Sequence, residues 1–140
     1  MQDEQFLAEF RAGTLEPFHH QDHVKMAWLY LQKTSLLQAV ADFTQDLKHF
    51  AEVKGSPGLY HETITWAYMF LIHERMTREQ GQSWEDFSNA NDDLLSWENN
   101  ILKQYYHTET LQSELARKVF IFPDCYCATD DSLKLPRNQS

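Results

Sequence analysis

Two short stretches of this chain hold residue types that do chemistry, at spacings that bring them together. In Phe18-His19-His20-Gln21-Asp22-His23-Val24, His20 and His23 stand three apart at the opening of a predicted helix, on neighbouring ridges of one face. That H-x-x-H spacing suits two ligands of one metal ion. In Tyr60-His61-Glu62-Thr63-Ile64-Thr65, a Tyr, a His and a Glu open a second helix just after the loop Gly55-Ser56-Pro57-Gly58. Three imidazoles, from His20, His23 and His61, with one open position would make a catalytic zinc site. Two imidazoles with Glu62 or Asp22 would instead suit non-haem iron. Either metal would activate water or oxygen. Without metal, a histidine with a pKa near ~6.5 beside Asp22 or Glu62 can act as general base, with Tyr60 as donor. The expected catalytic set is thus His61, Glu62 as proton shuttle and Tyr60, with Thr65, Trp28, Trp66 and Tyr105 contacting substrate.

The elements that must position these residues are helices. Four Gly and four Pro in 140 residues leave few turns. Leu36, Val40, Phe43, Leu47 and Phe50 recur at helical spacing, with Ser35 and Gln38 as a capping-box pattern at the start and Gly55 as a stop. Val24, Ala27, Trp28 and Leu31 mark a preceding helix from about His20 to Gln32. A short first helix with Phe6, Leu7 and Phe10 ends at Gly13. The segment from Tyr60 to Arg78 is apolar on almost every side, as befits the centre of a bundle. Ser83 caps a predicted fifth helix carrying Phe87, Ala90, Leu94, Trp97 and Ile101, with Asn91-Asp92-Asp93 on its wet face. Thr108 caps a sixth, with Leu111, Leu115 and Val119. The fold expected is all-α: one compact bundle of about six helices, mostly up-and-down, over residues 1–123, followed by a flexible tail over 124–140.

In that topology the second, fourth and sixth helices point the same way, so their N-termini gather at one end. His20, His23, His61 and the Tyr105-Tyr106-His107 segment would then share a rim. Helix N-termini offer free N–H groups and partial positive charge, so the expected ligand is a small anionic molecule such as a carboxylate or phosphate. Plainer readings stand beside this one. His20 and His23 could simply cap and solvate a helix start, with Asp22 complementing the helix dipole, and His61 and Glu62 could be a surface first turn. Trp28 and Trp66 could be core aromatics. The competing functional class is a non-catalytic module that binds a ligand or partner through the same rim without metal, or forms a homodimer through an exposed aromatic helix face.

Across these residues the chain resembles a family of small helical bacterial proteins carrying F-x-H-x-D-H and Y-H-E-T-x-T motifs. The matching pieces are Phe18-x-His20-x-Asp22-His23-Val24, Ala27-Trp28-x-Tyr30-Leu31 and Tyr60-His61-Glu62-Thr63-x-Thr65. Tyr105-Tyr106, Leu111, Ala116-Arg117, Phe120 and Pro123-Asp124 follow. The resemblance implies a stand-alone helical domain and the same motif residues. It implies no reaction, substrate or cofactor. The chain departs from the pattern at His107-Thr108-Glu109, where a Ser-Pro-Glu start is expected, and in its Cys-bearing tail.

Composition excludes other classes. With 12 Lys+Arg against 21 Asp+Glu the net charge is −9, and no basic run exists to meet nucleic acid or an anionic membrane. The 42% apolar and 14% aromatic content argues for a packed core. The longest apolar run, Ile64 to Ile72, is far short of the roughly 20 residues of a membrane span. Met1-Gln2-Asp3-Glu4-Gln5 lacks the basic and apolar character of a targeting signal, so a cytoplasmic location is expected. Cys125 and Cys127 form one C-x-C, read as reduced surface thiols.

Overall fold

The computed structural model describes residues 2–125; everything from 126 onward, Cys127 and most of the expected tail included, lies outside the described residues. Among the described residues the chain forms eight α-helices and no strand. Four are substantial: α1 (Asp3–Ala12), α2 (His20–Lys33), α3 (Leu36–Val53) and α4 (Glu62–Arg78). Four are short: α5 (Trp84–Ala90), α6 (Asp92–Leu95), α7 (Thr108–Leu111) and α8 (Glu114–Lys118). Two 3-10 turns, Pro57–Leu59 and Ile101–Gln104, complete the path. No helix among them is long and apolar enough to cross a membrane.

The boundaries follow from local chemistry. Ser35 Oγ accepts the Gln38 N–H at 3.3 Å and opens α3. The Gln38 side chain bonds Asp42 instead of returning to the cap, so only half of the expected capping box forms. α1 ends at Gly13, whose φ of +80° is left-handed. A Cβ there would stand 2.5 Å from Val53 Cγ1, so the end of α1 packs on the end of α3 only because the residue is glycine.

The apolar stripes of α1, α2 and α3 meet around Phe10, which is fully buried with Phe18, Tyr30, Phe43 and Phe50 all within 6.1 Å between ring centroids. α4 packs on α2, α3 and α8 and buries Tyr68, Met69 and Ile72. It occupies the central position its pattern predicts.

The predicted fifth and sixth helices each break. Asn91 is buried with φ −133° and ψ 50°; its Nδ2 donates to the Phe87 carbonyl and its Oδ1 accepts from Arg75, two bonds that end α5 and restart the chain as α6. Asp93 stays on the exposed face as expected, and there Arg75 clamps it with two bonds of 3.0 and 2.9 Å. Ser113 likewise splits the sixth helix: its hydroxyl donates to the Thr110 carbonyl and accepts the Ala116 N–H. The start of the expected tail is tied down too, because the Asp124 and Cys125 N–H groups both donate to the Tyr105 carbonyl.

Candidate functional site

α2 and α4 are joined through the returning α3, and they present their first turns to the same end of the molecule. There a cavity of about 720 Å³ opens between them, within the size range of small-molecule sites. His20, His23 and His61 all line it, as do Thr65, Trp97 and Arg117. Its apolar walls include Leu15, Phe18, Phe50, Leu59 and Ile64. Lys54 and Arg117 contribute two cations against one carboxylate, Glu16, on a chain whose net charge is −9.

The three imidazoles are in different states. His20 donates through Nε2–H to the Leu94 carbonyl at 2.9 Å, a partner that fixes the tautomer. Leu94 is held in place by the Arg75–Asp93 pair beside it in α6. His61 has no nitrogen left. Its Nε2–H donates to the Leu111 carbonyl at 2.7 Å, and its Nδ1 accepts the Ile64 N–H at 3.1 Å as the cap of α4. His23 sits between aromatic rings, 5.4 Å from Phe43 and 6.2 Å from both Phe18 and His20. Its Nε2 is buried with no partner. Burial disfavours the charged form of all three. For His23, burial and the neighbouring His20 push the pKa down to about 3.

This arrangement corrects the shared metal centre expected from His20, His23 and His61. A metal-bound imidazole needs a free lone pair, and the single lone pair of His61 already accepts a backbone N–H. Among the described residues no group of three His, Cys, Asp or Glu side chains is placed to hold a metal ion, zinc or iron. Asp22 is no third ligand either: its carboxylate accepts the His19 N–H at 2.9 Å and caps α2.

The expected catalytic and substrate-contacting set separates. Tyr60 and Glu62 hydrogen-bond to each other away from the cavity wall, with Lys48 Nζ 5.0 Å from the centre of the Tyr60 ring. Burial and the Glu62 carboxylate both raise the Tyr60 pKa. Neither residue is positioned to exchange protons with a ligand in the cavity. Trp66 lies off the cavity and stacks on Phe120 at 5.8 Å. Trp28 belongs to the opposite end, packed on Trp84 and Phe87 and lining a separate 250 Å³ cleft with His73. Tyr105 is 37% exposed and contributes its backbone carbonyl to the C-terminal segment. It does not line the cavity, and from this part of the chain it is Leu111, the last residue of α7, that reaches His61. Of the substrate-facing residues only Thr65, 2% exposed, lines the cavity.

Two residues were not singled out by spacing. Thr63 is fully buried, and its hydroxyl donates to the Val119 carbonyl at 2.8 Å and accepts the Ile121 N–H at 3.1 Å, strapping the C-terminal segment onto α4. Arg117 lines the cavity while its Nη1 donates to the Gly58 carbonyl at 2.6 Å and reaches that of Tyr60 at 3.4 Å. No carboxylate among the described residues pairs with it. Its sequence signal is slight, a lone Arg in a short helix more than fifty residues from the loop it closes.

No protein-family model, no curated protein and no solved structure matches this chain. The functional reading therefore rests on the geometry of the cavity.

Proposed function

We propose that this chain binds a small molecule with an acidic group in the cavity between the first turns of α2 and α4, and that it does so as a binding protein. The observation that carries this is Arg117, an unmatched cation in an otherwise largely apolar wall. Its Nη1 donates to the Gly58 and Tyr60 carbonyls, which leaves Nη2 and Nε of the guanidinium for a carboxylate or phosphate. Lys54 adds a second cation on the same wall, shared with Glu16 at 3.6 Å. Both would draw an anion to a basic recess of an acidic molecule.

Binding is favoured over acid–base catalysis by the chemistry of His23, His61 and Glu62. A useful general base has a pKa near the working pH, and a histidine at about 3 is far below it. His61 has no lone pair for a substrate proton, and Glu62 is occupied by Tyr60. The reading is tested by isothermal titration of octanoate and benzoate into the wild-type chain and Arg117→Met. Expected are saturable binding to the wild type, weakening with added salt, and a loss of about tenfold in the variant. Absence of binding, or equal binding by both chains, would overturn it. Arg117→Met circular dichroism guards against a folding defect.

A further inference from the structure

We infer that the ligand is bifunctional: besides the acidic head that meets Arg117 and Lys54, it carries an uncharged hydrogen-bonding group, such as a hydroxyl, that pairs with Nε2 of His23. This rests on the binding reading above and adds a second point of recognition to the same cavity.

Five buried side-chain polar atoms among the described residues have no partner, on His23, Thr44, Trp66, Tyr68 and Gln82. Only His23 lines the large cavity. An unpaired buried polar atom costs stability, and an apolar residue of similar size would pack between Phe18 and Phe43 without that cost. A buried nitrogen without a partner, on a ring that lines the cavity, is the arrangement of a site that reads polar chemistry, since pairing then occurs only in the complex.

The groups around His23 define what it accepts. Phe18 comes from the segment before α2, Phe43 from α3, Tyr68 from α4 and His20 from its own helix, and none carries a charge that would stabilise an imidazolium. The lowered pKa of His23 agrees with that setting. A carboxylate placed against this nitrogen would meet at best one neutral N–H donor and no cation, whereas a hydroxyl can donate to or accept from the neutral ring. The acidic head therefore belongs with Arg117 and Lys54, and the neutral group with His23.

The test uses matched probes. Benzoate is compared with 3- and 4-hydroxybenzoate, and octanoate with 8-hydroxyoctanoate, by titration calorimetry in two buffers of different ionisation enthalpy. In the wild-type chain at least one hydroxylated probe is expected to bind about tenfold more tightly than its parent, with no proton uptake. In His23→Leu that advantage disappears, whereas Arg117→Met weakens parent and hydroxylated probe alike. If no probe binds, the binding reading itself fails. If the parents bind but no hydroxyl is preferred, or the preference survives in His23→Leu, the two-point inference fails alone. Uptake of one proton on binding would also overturn it, by placing the acidic head on His23. The wild-type comparison decides the matter even if His23→Leu does not fold.

Discussion

At the start of α2, His23 keeps a ring nitrogen that nothing among the described residues pairs; at the start of α4, His61 and Thr63 give every polar side-chain atom to backbone, that of a distant segment or, for His61 Nδ1, of its own first turn. Both stretches line or flank one cavity, and both look like site motifs by composition. The difference lies in what each side chain has left over. A polar group committed to the chain's own backbone holds the fold, and its loss is a stability event. A polar group buried without a partner makes no such contribution, and its loss should cost no stability near neutral pH and register as lost binding.

The largest effect that could break this contrast is at His61. In His61→Ala the Ile64 N–H loses its cap and the Leu111 carbonyl loses its donor, both at a position only 8% exposed. With roughly 1–3 kcal/mol for each buried group left unpaired, the expected loss is about 3 kcal/mol in urea denaturation. A loss below about 1 kcal/mol would mean that His61 is not a structural strap, and would return it to the candidate site.

Acid should weaken the fold next most strongly. Burial holds His20, His23 and His61 below the ordinary histidine value of 6.5. A base with a depressed folded pKa takes up its proton more readily in the unfolded chain. Its stabilising contribution is complete above about 6.5 and is lost as pH falls toward the folded value, about 3 for His23. Asp93, which the Arg75 guanidinium holds below its usual 3.8, loses its contribution only at still lower pH, so the window from 6.5 to 4 belongs to the histidines. For one fully linked histidine the slope approaches ~1.4 kcal/mol per pH unit, or about 2–3 kcal/mol between pH 6.5 and 4.5. Urea midpoints measured across that range check it; a flat profile would show that the imidazoles titrate normally when folded.

How much of this was legible in the sequence depends on the range over which each feature is decided. Ser35, Gly13 and the apolar spacing of α3 act within a turn or two, so they mark the helices correctly. The meeting of His20, His23 and His61 at one end follows from alternating helix direction alone, which pattern can supply. The break at Asn91 was hidden because Asn fits a helix surface until a tertiary partner, here Arg75, claims its side chain, and the one at Ser113 because Ser fits a helix surface as well as it bonds locally to Thr110 and Ala116. The roles of His61, Thr63 and Arg117 were hidden for the same reason at longer range. Their partners lie fifty to fifty-nine residues away, and no local period reports whether an imidazole faces a cavity or a carbonyl.

The smallest effect sharpens the contrast from its other side. His23→Leu removes an unpaired polar atom from between Phe18 and Phe43 and replaces it with a side chain of similar bulk. No hydrogen bond is lost, because the ring nitrogen Nε2 makes none, and apolar contact with the two rings is kept. At pH 7.5 the stability should therefore be unchanged or raised by up to about 1 kcal/mol, against the loss expected at His61. The same substitution should flatten the acid profile by about one proton, since the group with the most depressed pKa is gone. A destabilisation of about 2 kcal/mol or more at pH 7.5 would contradict both expectations. It would mean that His23 is bonded within the fold after all, and the cavity would then lose its second point of recognition while keeping the cation at Arg117.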